Sequence, residues 1–384
     1  MDFRLSDEQR ELMAVARGLY EKKLKPLCED PSPAGERKLR EVLAAHGMLG
    51  LNMPAEYGGQ GLPLLDTLLI MQTLHYCDAM LGPIVHRSTS GAVNSIHVLG
   101  TDEQKRRFIP PVVRGESAFS IGITESDAGS AATDLATRAR IEGDEVVING
   151  SKQFISHTLY TDHTLVYCQF GAGKRASEIG AVIVPHDTPG FVKSKGGLNM
   201  ADDLQVELFF DNLRVPVGNI VMRGDAFGRL INVYNAERLG GLARLLGAGQ
   251  AAFDYAVQYS KTRRQFNQDI CEFQGIQWMI ADMRVKLDAC ELLIYRAASN
   301  AQAGLPSPLE TSVAKVYCGQ ALKEVCDDAI QILGGYGYQK AYPVEKRYRE
   351  VRGGSIYSGT SQIHKNMIAA QVLGRKFSQW KKNP

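Results

Sequence analysis

The hydrophobic period of this chain changes twice, and nothing else in the sequence restricts the fold as strongly. The first third carries apolar residues at helical spacing, the middle carries short β-branched and aromatic runs, and the helical period returns from Phe227. The strand-like runs are gathered together instead of alternating with helices. That order excludes a doubly wound parallel sheet and predicts an α+β fold. Its expected parts are an N-terminal helical domain over 1–117, a small β domain over 118–227 and a C-terminal helical domain over 228–384.

Local signals fill in this outline. Ser6 is placed to cap a first helix, with Glu8 or Gln9 reaching back to it. "NMPAEYGGQGLP" breaks helicity, which resumes from Leu64 to about Leu99 and ends at Gly100. Thr101 then caps another helix, for which Pro110–Pro111 reads as the stop. "RARIEGDEVVING" predicts a hairpin turning at Gly143–Asp144, and "HTLVYCQF", "IGAVIVP" and "VELFFDNLRVP" read as strands of a small antiparallel assembly. Ile276, Met279, Ile280, Met283, Leu287, Cys290 and Ile294 follow helical steps, and Gly304 with Pro306 ends that helix. A second long helix runs to about Leu333, where "GGYGY" stops it. "GGYGYQK" holds only half of a G-x-G-x-x-G pattern and follows a helix, so it is no dinucleotide fingerprint.

Composition narrows the class. A net charge of +2 gives no electrostatic reason to expect nucleic acid or an anionic membrane. The seven cysteines form no C-x-x-C pair, and their odd number argues for a reducing compartment, the cytoplasm. "MDFRLSDEQRELM" has no apolar core of a secretory signal, and no run is long and apolar enough to span a bilayer. No His/Cys/Asp/Glu group has metal-ligand spacing.

"FSIGITESDAGSAATDL" resembles the first signature of the acyl-CoA dehydrogenase family, and "QILGGYGYQKAYPVEKRYRE" resembles the second. "MPAEYGGQGL", "VELFFDNLRVP" and "RRQFNQDICEFQGIQ" are similar to further landmarks, in the same order along nearly the whole chain. Two positions depart from the pattern: Ala131 and Ala341 stand where acidic residues are usual. The resemblance implies a C-terminal domain of four-helix-bundle type, FAD as cofactor, an acyl-CoA substrate, electron-transfer flavoprotein as electron acceptor and a homotetramer. In such enzymes a base takes the α-proton of an acyl thioester while the β-hydride goes to the flavin.

The resemblance also assigns residues. Ile123 and Thr124 would meet the flavin ring, and Gly129 and Ser130 the pyrophosphate, with Ser130 also near substrate. Phe154 and Ser156 would pack beside the flavin, Phe154 standing where tryptophan is common. Arg263, Phe266, Gln274, Gln331 and Gly335 would hold the ADP half from a second subunit. Arginine suits a pyrophosphate because its planar fork bonds in pairs.

"YSGTSQIH" carries the unusual feature. Many members place the catalytic glutamate at the position of Ser358, and serine is a poor base unless activated. Thr360 and Gln362 still match flavin contacts, and Ser358 and Gly359 would border the substrate. A minority of the family carries its base on an upstream helix, and the matching "VYNAERLGG" contains Glu237. Tyr234, Asn235 and Arg238 would bind the substrate's pantetheine arm or orient that helix. Arg87 lies where the acyl pocket is lined and is offered to a distal carboxylate, since a buried charge wants a partner. Three alternatives stay open. A lyase on this fold, such as a sulfinyl-acyl-CoA desulfinase, has similar "YNAERLGG" and "EFQGIQWMIADM" stretches, but Glu237 and Pro83 speak against it. The others are a dehydrogenase of a carrier-protein-tethered aminoacyl group and a flavin-binding protein without turnover.

Overall fold

The computed structural model describes residues 3–173, 175–375 and 377. The chain forms two compact units, one from Leu5 to Gly240 and one from Gly241 onward.

The first unit opens with helices α1 (Asp7–Leu19), α2 (Pro33–Ala45), α3 (Leu64–Cys77), α4 (Leu81–Thr89), α5 (Gly91–Leu99) and α6 (Asp102–Val113). Two of them start with reciprocal caps. Ser6 Oγ accepts from Gln9 N at 3.2 Å while Gln9 Oε1 accepts from Ser6 N at 3.0 Å, and Thr101 and Gln104 repeat the arrangement. The predicted stop at Pro110–Pro111 is not where α6 ends: the helix runs on to Val113. Both prolines lie in the last turn, and their carbonyls still accept from Arg114 N and Glu116 N. The buried Ile109, Val112 and Val113 hold this turn against the core. The stretch expected as helical from Leu64 to Leu99 is three helices, divided at Asp78–Met80 and at Ser90.

A nine-stranded sheet follows: β1 (Phe119–Gly122), β2 (Arg138–Glu142), β3 (Glu145–Ser156), β4 (His163–Gln169), β5 (Ile179–Pro185), β6 (Phe191–Lys193), β7 (Gly197–Leu198), β8 (Leu204–Pro216) and β9 (Ile220–Met222). Glu142 pairs with Glu145 across the expected Gly143–Asp144 turn. Pairing is antiparallel except along β4, where β1 lies parallel at His163–Val166 and β2 at Gln169. Residues 123–137 join β1 to β2, which pair with successive stretches of β4.

Strands β4 and β5 are buried on both faces, which explains their nearly unbroken apolar runs, while β8 alternates buried and exposed residues. Leu165, Tyr167, Ile179, Ala181 and Ile183 pack with Val93, Ile96, Phe108 and Ile109 of α5 and α6. The alternate residues Val166, Cys168, Val182 and Val184 pack with Val146, Ile148, Val206 and Leu208 on the other face.

Helix α7 (Phe227–Ser260) carries the chain into the second unit. There follow a two-stranded hairpin, β10 (Arg264–Gln265) and β11 (Gln268–Asp269), then α8 (Gln274–Ser299), α9 (Pro308–Leu333), α10 (Pro343–Arg352) and α11 (Ser361–Val372). Helix α9 packs against α8, α10 and α11. It buries small residues such as Ala314, Cys318, Gly319 and Ala321 along with Leu322 and Val325, and Met283, Leu287, Cys290 and Ile294 are the buried stripe of α8. Helix α9 ends at Leu333 because Gly334 takes a positive φ of 60°.

Leu165→Ala should lower the unfolding free energy by about 2–5 kcal/mol, from lost transfer energy and the cavity left between sheet and helices. Urea unfolding followed by circular dichroism measures it; a loss under about 1 kcal/mol would contradict this account of the core.

Candidate active site

One end of the site is the crossover after β1. Ile123 and Thr124 leave the strand with both carbonyls bonded: Ile123 O accepts from Lys152 Nζ at 3.1 Å, and Thr124 O from Gln153 N at 2.8 Å. Glu125 Oε1 accepts from Lys152 Nζ at 2.6 Å and from Thr137 N at 3.0 Å, while Oε2 takes Ala136 N. The Lys152 side chain has no solvent exposure and that of Glu125 only 6%. Burial pushes the Glu125 carboxyl up, but the Lys152 charge and these hydrogen bonds outweigh it and hold the group below the usual carboxylate range. The Lys152 ammonium is pushed down by its own burial, against the pull of Glu125. This knot ties both ends of the loop that presents Gly129 and Ser130 to the outside, and a Cβ added at Gly129 would touch nothing.

Lys152 also anchors a break in β3, whose pairing with β8 shifts register between Lys152 and Ile155. In that bulge Phe154 has a φ of 59° and its ring is 60% exposed. A non-glycine residue held there costs about 1–3 kcal/mol, which the surrounding structure must offset. Ser156, two residues along, accepts from Gln205 Nε2 at 3.1 Å.

The other end is α7. Glu237 is half-buried, and its Oε2 lies 3.1 Å from His86 Nε2, which is also 3.0 Å from the Glu237 carbonyl. Among the described residues no hydrogen bond reaches Oε1. Arg238 and Asn235 are buried beside it: Arg238 Nη1 donates to Asn235 Oδ1 at 2.7 Å, and the guanidinium sits 5.4 Å from the Tyr234 ring centre. Burial lowers the Arg238 pKa. Both contacts lie within α7 itself. Arg87 Nη2 lies 2.8 Å from the buried Glu36 Oε1, so a carboxylate of the protein itself stands against this charge.

In the second unit Arg263 and Gly335 line one cleft of about 570 Å³ with Tyr259, Gln265, Tyr336 and Gln339. The Arg263 guanidinium stands 5.5 Å from the Tyr336 ring centre. Phe266 is at the tip of the β10–β11 hairpin, 89% exposed with a φ of 51°; Gln274 opens α8, and Gln331 lies in the last turn of α9. In the late loop Ser358 and Gly359 take positive φ values of 57° and 91°. Thr360 Oγ1 caps α11 by accepting from Ile363 N at 3.3 Å, with Gln362 exposed in the first turn. His364 Nε2 donates to Ser358 O at 3.3 Å, and buried Lys315 donates to Gly354 O below the Tyr357 ring.

Glu125 lies inside "FSIGITESDAGSAATDL" with no role read for it from the sequence, and neither Lys152 nor His86 is marked there by any motif. A charged residue in a strand that is otherwise buried is the signal that could have found Lys152.

The chain belongs to the acyl-CoA dehydrogenase family. The family's N-terminal domain matches residues 6–116, its middle domain 120–213 and its C-terminal domain 226–373. The chain is 36% identical to the 3-sulfinopropanoyl-CoA desulfinase of Paraburkholderia xenovorans, covering 98% of this chain and 99% of that one. It is 33% identical to the short-chain-specific acyl-CoA dehydrogenase of Clostridium acetobutylicum, covering 97% and 100%. A solved structure described as the electron transferring flavoprotein of Acidaminococcus fermentans includes a chain that superposes with a TM-score of 0.91 at 33% identity, covering 97% and 100%. Members of the family are FAD-dependent oxidoreductases, and FAD is the cofactor this chain takes. The residues present fit it: an exposed aromatic ring in the β3 bulge, an open Gly-Ser loop for phosphate and a guanidinium in an aromatic-lined cleft. Among the described residues no group of His, Cys, Asp and Glu could hold a metal ion, and no helix is long and apolar enough to cross a membrane.

Lys152→Met should destabilise the fold by about 3–5 kcal/mol, because Glu125 would keep a buried charge with no cation. Adding Glu125→Gln should recover part of the loss. Thermal unfolding of both variants measures this, and equal losses would show that the pair is not a coupled unit.

Proposed function

We propose that this chain is an acyl-CoA dehydrogenase that desaturates a short, branched, cyclic or polar acyl-CoA between its α- and β-carbons, with Glu237 as the base. One observation carries the reading. Glu237 presents a carboxylate with one oxygen held by His86 and the other unbonded, as a proton acceptor requires. Bound FAD supplies the acceptor for the β-hydride. Glu237 takes the α-proton; Ile123, Thr124, Phe154 and Ser156 border the flavin ring; Gly129 and Ser130 approach the pyrophosphate; Thr360 and Gln362 face the flavin from the late loop. Arg263, Phe266, Gln274, Gln331 and Gly335 hold the ADP half for a second subunit. Tyr234, Ser358 and Gly359 border the thioester.

Electrons leave to an electron-transfer flavoprotein, a reading supported by the Acidaminococcus structure. Assembly as a homotetramer is supported by α8, where Trp278, Val285 and Leu292 recur every seven residues and are 62%, 66% and 47% exposed. The identity with the desulfinase supports a second reading, loss of a β-sulfinate without net oxidation.

Anaerobic flavin bleaching by propionyl-, butyryl-, isobutyryl-, isovaleryl- and glutaryl-CoA tests the function. Glu237→Gln should keep FAD and slow bleaching by about 10²–10⁴-fold; bleaching at the wild-type rate would remove Glu237 as base. Sulfite release from 3-sulfinopropanoyl-CoA, with no acyl-CoA bleaching the flavin, would establish the lyase instead. Light scattering should give the mass of four chains for the wild type and a smaller particle for Val285→Asp; an unchanged mass would take α8 out of the interface.

A further inference from the structure

We infer that His86 is the positioning residue for Glu237: a single imidazole N–H fixes the rotamer in which the carboxylate receives the α-proton. The inference rests on the assignment of Glu237 as the base. His86 lies on α4 and Glu237 on α7, both in the first unit. His86 Nε2 is 3.0 Å from the Glu237 carbonyl and 3.1 Å from its Oε2. Both partners are acceptors, so Nε2 carries the proton and the bond is shared between them. A donor that grips the backbone and the side-chain end of the same residue closes a loop around its torsions. Glutamate otherwise has several rotamers of similar energy.

Two glycines clear the space this needs. Gly91, with a φ of 61°, opens α5; a Cβ there would come 2.8 Å from Glu237 Oε2 and 3.1 Å from Ile121 Cδ1. Gly240, one turn of α7 beyond Ala236, lies against the imidazole, and a Cβ would come 2.6 Å from Cδ2 and 2.7 Å from Nε2. The ring is pressed between α7 and its own helix, and Oε2 is pressed between the ring and the start of α5. Only Oε1 remains open. His86 therefore acts on the reaction through the direction of the base, without touching the reacting carbon.

The test uses FAD-loaded enzyme and the acyl-CoA of the panel above that bleaches the wild type fastest. His86→Phe keeps a flat ring and removes the donor; His86→Gln keeps an N–H at the same reach. For His86→Phe the limiting bleaching rate should fall about 100-fold, the loss typical of a misplaced catalytic group, with the half-saturating concentration changed by less than about 3-fold. His86→Gln should recover at least about 10-fold of that rate, which a purely packing role would not allow. A His86→Phe rate within about 3-fold of wild type, or no advantage of glutamine over phenylalanine, overturns the inference while Glu237→Gln remains slow. If Glu237→Gln itself bleaches normally, the base assignment has failed and the role of His86 falls with it. Should His86→Phe fail to fold, Gly240→Ala carries the test, because its methyl displaces the ring without deleting the donor.

Discussion

The salt bridge between Glu125 and Lys152 is the interaction on which the loop proposed to meet the flavin depends. Sealing two opposite charges from water costs several kcal/mol per ion, and only good geometry offsets that. Here the carboxylate also takes the amides of Ala136 and Thr137, and the ammonium also binds the Ile123 carbonyl. One pair thus joins the end of β1, both ends of the Gly-Ser loop and the residue before the β3 bulge. The exposed Phe154 ring and the open Gly129–Ser130 loop are tied to a pair that is itself sealed from solvent.

A comparable division of labour holds on α7. Asn235, Ala236, Arg238 and Leu239 are buried while Tyr234 and Glu237 are half-exposed. The burial of that side sets which face of the helix points into the protein, and the Asn235–Arg238 bond and the Arg238–Tyr234 contact run along α7 itself. Glu237 then has one direction to point, and the shape of that direction is set by Gly91 and His86.

How much of this could be read in advance differs by scale. The change from helical to strand period and back carried the α+β architecture, because burial of both sheet faces leaves its mark on every residue of β4 and β5. The turn at Gly143–Asp144 and the caps at Ser6 and Thr101 were legible for the same reason: their chemistry is local. Pro110–Pro111 misled, because a helix whose apolar side is already packed tolerates two missing donors in its last turn. Glu237 was selected as a candidate base because serine stands at 358, where many members carry their acid. Its partner His86 was not, because 151 residues separate them and no periodicity links positions that meet only in space. The same applies to Glu36, which reaches Arg87 from another helix.

The late loop around Ser358 has a different consequence. Its backbone is held from outside by His364 on the Ser358 carbonyl and by the Thr360 cap, neither of which uses the side chain at 358. The path of the chain there is thus held by backbone and neighbouring groups, within the limits that a φ of 57° at Ser358 sets on the residue type. A substitution at 358 would change the chemistry offered to the surroundings of the loop before it changed the turn.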